Sequence, residues 1–311
     1  DLPVYSQLMS LYAAITELIH RKKIASAYAV GFGGICEAVS KMAFGNELGV
    51  TMNDSLSIDE LFAKDYGSII VEMTPEDFAE TLKKIADIGY TEVQVSGTCA
   101  YQPEWLREQL ESTGLSCVIT HFDINMIKND PVRAVRENAV FGCRHIGIGS
   151  MPGGASGLEN FDAFVSDYLP AAEKVRENGG YLMYHNHHFE FNHVSPGVTY
   201  LERLAEIFPA ETLGFTLDTY WVQVGGGSPG EWLRRLSGRV PCIHLKDLAM
   251  SGTEQHMAAV GYGNINFDSV LAAASDAGTE HLLVEQDTCY GEDQFGELKK
   301  SYLWLRSRGI C

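Results

Sequence analysis

Three imidazoles, an amide and a carboxylate fall within six consecutive positions, His185-Asn-His-His-Phe-Glu190, directly after the apolar run Tyr181-Leu-Met-Tyr184. Three later apolar runs each end in a residue able to bind a metal: Asp218 after Phe-Thr-Leu, His244 after Cys-Ile and Glu285 after Leu-Leu-Val. Two Glu, one Asp and one His make a mostly oxygen donor set. Such a set suits Mn²⁺ or Mg²⁺, is compatible with Co²⁺ or Zn²⁺, and leaves coordination positions for substrate oxygens. Each residue alone has a plain structural reading. Asp218 could cap a helix, His244 could be a hydrogen-bonded core histidine, and Glu190 could be exposed. Glu285 after three apolar residues would be costly to bury without a partner.

Spacing turns these residues into a set. Glu190 and Asp218 are 28 residues apart and Asp218 and His244 are 26 apart, close to the roughly 30 residues of one strand–helix unit. The 41 residues from His244 to Glu285 include a polar, Gly-rich stretch, 249–263, expected to be a loop. Glu190, Asp218, His244 and Glu285 are therefore expected at the C-terminal ends of successive strands, the catalytic face of parallel barrels. In this reading His185 and Asn186 contact substrate, and His187 and His188 are structural.

The elements that must carry these residues follow from periodicity. From Ser68 onward short apolar strands alternate with helices. Ile69–Met73 is the first strand, and Thr74-Pro75-Glu76-Asp77 starts a helix with Pro at its first position and acids in its first turn. Further strands are expected at 92–96, 117–121, 145–149, 181–185, 214–218, 241–244 and 282–285. Eight such units predict an α/β fold, a (β/α)8 TIM barrel over 67–311, with an open doubly wound sheet as the alternative. Residues 1–66 read as an extra N-terminal α/β segment: a helix over Tyr5–Ile24, a second opened by Gly31-Phe-Gly-Gly34, a short strand at Leu48–Met52 and a capping box at Ser57–Glu60.

Lys and Arg number 23 against 41 Asp and Glu, a net charge of −18. Such a surface repels phosphate backbones and anionic headgroups, so neither nucleic acid nor a membrane is expected as partner. The opening residues do not read as a signal peptide, so none is expected, and there is no apolar run near the ~20 residues needed to span a bilayer. Seven cysteines without a CxxC pair suggest reduced thiols and a cytoplasmic setting. The sequence leaves room for a homo-oligomer.

Residues from about 73 to 311 resemble the xylose-isomerase-like TIM-barrel proteins, the sugar phosphate isomerases/epimerases that include inosose dehydratases and ketose 3-epimerases. The likeness rests on Lys83-Lys-Ile-Ala-Asp-Ile-Gly-Tyr90, His185–Phe191, Leu217-Asp-Thr-Tyr-Trp221, Ile243-His-Leu-Lys-Asp247, Val260-Gly-Tyr-Gly-Asn264 and Val284-Glu-Gln-Asp287. It implies metal ligation by Glu190, Asp218, His244 and Glu285. It also implies a sugar, keto-sugar or cyclitol substrate that loses a proton beside a metal-bound carbonyl, with Glu190 and Glu285 as the proton-transferring carboxylates. Two positions depart from the epimerase pattern: Trp221 stands where a His is usual, and Met250 where an Arg is usual. Lys246 and His256 are candidate replacements, His121 a further hydroxyl contact, and Trp221 a face for stacking on a sugar or for packing. A metal-dependent lyase, dehydratase or hydrolase of the same superfamily, including its endonuclease-IV-like branch, is the competing reading, and a barrel inactivated by its N-terminal graft is the third. Residues 1–73 resemble a segment of the phosphoribosylformylglycinamidine synthases through Leu2–Met9, Ala25–Ile35 and Phe44–Gly49. Without that enzyme's ATP and glutaminase parts, this segment is expected to be non-catalytic.

Overall fold

The structure is a computed structural model that describes residues 12, 15–16, 26–30, 32–44, 58–62, 69–72, 75–154 and 157–310. The expected helix over Tyr5–Ile24 falls almost entirely, and the strand at Leu48–Met52 wholly, outside the described residues, as does Ser57 of the capping box. The chain forms two compact units, one of residues 1–81 with 98–101 and the other of 82–97 with 102–311. In the first, β1 (Ser26–Ala29) pairs antiparallel with β2 (Ile69–Glu72), and helices run over Gly34–Phe44 and Ile58–Phe62. Of the segment Ile69–Met73, expected as the first barrel strand, Met73 lies outside the described residues, and Ile69–Glu72 is thus paired with β1 and not within the seven-stranded sheet. Its apolar residues satisfy a hairpin as readily as a barrel slot, so composition could not separate the two.

The second unit contains seven parallel strands in the order β3 (Glu92–Val95), β4 (Ser116–His121), β5 (His145–Ile148), β6 (Tyr181–His185), β9 (Leu213–Asp218), β10 (Cys242–Leu245) and β13 (His281–Val284). Helices connect them, making a nearly closed TIM barrel. The Glu92 carboxylate on β3 and the His281 ring on β13 meet at 2.9 Å across the seam between the two edge strands. Two hairpins interrupt the alternation. β7 (His193–Ser195) pairs with β8 (Val198–Thr199), and β11 (Asp247–Ser251) pairs with β12 (Glu254–Ala258). The second hairpin occupies most of the stretch expected to be a loop. Its turn is Gly252 at φ 62°, a left-handed conformation that glycine adopts without steric cost.

Local chemistry sets the helix starts. Thr199 and Glu202 form a reciprocal capping box for the helix Tyr200–Ile207, and Asp130, Asn266 and Asp293 cap others through their side chains. Pro103 opens its helix and Gly114, at φ 71°, closes it.

Successive side chains on a strand point to opposite faces. One set packs outward against the helices in a large apolar core containing Ile146, Leu182, Tyr184, Phe215, Leu217 and Ile243. The other set points into the barrel. There Ile119, Met183, Cys242 and Leu283, from β4, β6, β10 and β13, form a separate apolar floor. Two residues further along the same strands are His121, His185, His244 and Glu285. The floor therefore dictates which side chains stand above it. Met183→Ala should remove ~2–5 kcal/mol of stability by opening a cavity that the barrel wall cannot collapse into, read as a lower midpoint in urea unfolding.

Candidate metal centre

The layer above the floor brings together His185, Asp218, His244 and Glu285, whose ligand atoms all lie within 4.8 Å of one another. The ladder enforces this placement: Asp218 on β9 is the register partner of His244 on β10, and Leu245 pairs with Val284, which delivers Glu285 one residue later. Asp218 Oδ1 accepts from the Trp221 amide at 2.9 Å, capping the helix Thr219–Val224. That leaves Oδ2 facing inward, 3.4 Å from His185 Nε2 and 3.8 Å from His244 Nδ1.

The outer nitrogen of each imidazole is already committed. His185 Nδ1 donates to the Gly149 carbonyl at 3.0 Å, which turns Nε2 toward the group. His244 Nε2 donates to Gln94 Oε1 at 2.7 Å, which turns Nδ1 toward Glu285 Oε2. Partners of this kind fix ring orientation and tautomer in metal-binding histidines. His244 Nδ1 and Glu285 Oε2 are buried and pressed against one another as an ion pair. These two atoms, with Asp218 Oδ2 and His185 Nε2 beside them, converge on one point and make a donor set that could hold a divalent cation.

The electrostatics follow the same geometry. Burial raises the Asp218 carboxyl, but hydrogen bonding from His185 and His244 and the charge of Lys246 outweigh it and bring it down to about 2. Glu285 is likewise lowered by His244, His185 and Lys246 in spite of burial. Burial alone would lower His244, but Glu285 and Asp218 raise it to about 9. His121 is held well below its ordinary value by burial and by His185 and His244. Its ring stands 5.2 Å from that of His185, and Gly149 lets it approach: a Cβ there would lie 3.0 Å from His121 Nδ1.

Residues 63–308 match the family described as the xylose isomerase-like TIM barrel. The chain belongs to this family. Solved structures similar to this xylose isomerase-like barrel include a sugar phosphate isomerase/epimerase from Parabacteroides distasonis, at 22% identity and TM-score 0.64, covering 76% of this chain and 90% of that one. An L-ribulose 3-epimerase aligns at 16% identity and TM-score 0.58, covering 76% and 89%. A probable 3-DHS dehydratase from Bacillus anthracis aligns at 15% and 0.57, covering 74% and 94%. No curated protein sequence matches the chain, and none of these comparisons supports the likeness of residues 1–73 to a purine-biosynthesis synthase.

Glu190, expected as a ligand, stands apart from the group. It is 0% exposed on the 3-10 turn Phe189–Phe191. One carboxylate oxygen accepts from the Tyr184 hydroxyl at 2.5 Å and the other from the His187 amide at 2.8 Å. Burial raises its carboxyl above the ordinary value, opposed by those two hydrogen bonds. The place expected for Glu190 is taken by His185, the last residue of β6. The residue count pointed to Glu190, whereas strand parity with Met183 selects His185. Asn186, expected to bind substrate, is buried and its Oδ1 accepts from the Asp218 amide at 3.0 Å, so it ties β6 to β9. His256 lies on β12 and stacks on Tyr290 at 4.0 Å, outside the four-residue group. Trp221 and His187 adjoin one another, and Trp221 Nε1 and His187 Nδ1 are buried without hydrogen-bond partners among the described residues.

Sequence reasoning passed over two contributors. Gln94 lies on β3 between the buried Val93 and Val95 and faces the barrel interior toward His244; that alternation of valine with polar residues was its signal. Asp287 follows Glu285 by two and holds Lys246 at 2.6 Å. A pair of variants separates the roles at β6. Glu190→Gln should keep the wild-type Mn²⁺ stoichiometry while costing ~1–3 kcal/mol, because an amide nitrogen accepts from neither Tyr184 nor His187. His185→Ala should lose Mn²⁺ binding at least tenfold, with both read by calorimetry and chemical denaturation.

Proposed function

We propose that the chain is a divalent-metal-dependent isomerase or epimerase of a sugar, keto-sugar or cyclitol, removing a proton from the carbon next to a carbonyl. The observation that carries this reading is the pair of imidazoles with committed outer nitrogens, aimed with Asp218 and Glu285 at one point on the C-terminal face of the barrel. His185, Asp218, His244 and Glu285 would hold the ion, with Mn²⁺ or Mg²⁺ the first choices for two carboxylates and Co²⁺ or Zn²⁺ for two imidazoles. When bound, it supplies a Lewis acid that draws electron density into the substrate carbonyl.

The chain's own residues do the rest. Glu285 has a side chain 29% exposed while Asp218 has 0%, so Glu285 is the ligand carboxylate that reaches a substrate carbon and takes its proton. The Lys246 ammonium, 3.6 Å from Glu285 Oε1, places positive charge where the carbonyl oxygen becomes negative. His121, kept neutral by burial beside two other histidines, donates to or accepts from a substrate hydroxyl. Trp221 walls the site with its ring 5.1 Å from the Lys246 nitrogen. Glu190 has a positioning role: through the His187 amide it sets the turn that follows His185. A dehydratase would use the same first step and then expel the neighbouring hydroxyl.

Two measurements test this reading. In D₂O, the wild type with Mn²⁺ should place deuterium beside the carbonyl of one member of a panel of ketoses, inososes and 3-keto-glycosides, and Glu285→Gln should lower that rate at least a hundredfold. No labelling across the panel would sink the assignment. Metal affinity should also rise with pH. Binding requires His244 to shed a proton that Glu285 and Asp218 hold up to about pH 9, so the Mn²⁺ Kd should fall by as much as tenfold per pH unit between pH 6.5 and 8.5.

A further inference from the structure

Beside the four-residue group lies a second convergence of carboxylates, and its centre is an ammonium. Lys246 Nζ is 2.6 Å from Asp287 Oδ2, 3.5 Å from Asp218 Oδ2 and 3.6 Å from Glu285 Oε1. Two of these carboxylates also belong to the metal group. Glu285 is divided between the two centres, with Oε2 against His244 Nδ1 and Oε1 toward Lys246. Asp218 Oδ2 serves both, facing His185 and His244 on one side and Lys246 on the other.

The lysine has little freedom to leave. Its side chain is 1% exposed, unlike the usual lysine whose head reaches water. Its backbone is clamped by Thr219, whose hydroxyl accepts from the Lys246 amide at 3.0 Å and donates to the Lys246 carbonyl at 2.8 Å. The rings of Trp221 and Tyr220, 5.1 Å and 6.0 Å from Nζ, lie against the same ammonium. Oxygens that bind a divalent ion stand roughly 2.0–2.6 Å from it, so the Asp218 and Glu285 oxygens, at 3.5 and 3.6 Å from Nζ, stand about an ångström farther out than a metal would hold them, and only Asp287 is as close as 2.6 Å. That is the spacing an ammonium sets.

We infer that Lys246 is a built-in second cation: it fills a cation position that shares Asp218 and Glu285 with the metal centre, and so limits the centre to one metal ion and moderates its affinity. Asp287, half-exposed at its outer edge, is the tether that keeps the ammonium from pressing fully on the two shared carboxylates. This rests on the metal reading proposed above. The charge balance is consistent with it. Three carboxylates and one ammonium leave two negative charges, which one divalent ion neutralises.

Removing the charge and removing the side chain give different outcomes. Lys246→Met keeps the volume and deletes the charge, so it should bind one Mn²⁺ at least tenfold more tightly than the wild type. Lys246→Ala also opens the space and should bind two Mn²⁺ per chain, with the mutual broadening of their EPR signals that adjacent ions produce. Lys246→Arg should remain at one. Asp287→Asn, at a half-exposed position, should weaken Mn²⁺ binding several-fold, because the untethered ammonium competes harder for Asp218 and Glu285. Calorimetry and metal analysis at one fixed pH read all four. Wild-type binding of one Mn²⁺ together with unchanged affinity in Lys246→Met and in Asp287→Asn would overturn the inference and leave the metal centre standing. If Lys246→Ala folds and still takes up one Mn²⁺ with wild-type affinity, the second-cation assignment fails in the same way. A wild type that binds no Mn²⁺ at millimolar concentration would remove the metal reading and this inference together.

Discussion

The period-two alternation of side chains along parallel strands is the constraint on which the site depends. Once Ile119, Met183, Cys242 and Leu283 close the barrel as an apolar floor, the residues two further along must face the same interior. His121, His185, His244 and Glu285 are those residues. No loop has to fold correctly to gather them, because the hydrogen-bonded ladder does so, and Asp218 joins through its register with His244. Polar groups are expensive to bury, and this layer is tolerable because each member is oriented by a partner: Gly149 for His185, Gln94 for His244, and Trp221 and Asn186 for Asp218.

Much of this was legible in the sequence. Seven strands of the barrel appear within a residue or two of their expected bounds, because short apolar runs alternating with helical patterns leave few alternatives. Asp218, His244 and Glu285 were visible as strand-ending residues at unit spacing. Glu190 was misplaced because counting residues between units ignores the path taken after a strand. Here the chain turns through Phe189–Phe191 and buries the carboxylate under Tyr184. The strand of residues 69–73 was misassigned because an apolar tetrapeptide carries no record of its partner. The hairpin β11–β12 was missed because its residues are mostly polar or exposed, which removes the hydrophobic alternation by which strands are recognised.

The two departures from the ketose 3-epimerase pattern take on physical content in the structure. Trp221 occupies the first of them, and its ring adjoins both the histidine turn after β6 and the Lys246 ammonium. Met250 occupies the second; it is exposed on β11 and does not belong to the metal group. A positive charge stands nearby at Lys246, whose side chain is 1% exposed.

The seam between β3 and β13 carries one more consequence. Gln94, on one edge strand, fixes the proton position of His244, while Glu285 projects just past the other edge strand. The orientation of the His244 imidazole is therefore set by whether two strands without a shared ladder stay in step. If the edges slide apart by a fraction of a side chain, the ring loses its outer acceptor while Nδ1 still faces Glu285 and Asp218. Barrel closure is then felt at the centre as the orientation of one ring, so that a mechanical property of the sheet becomes an electronic property of the site.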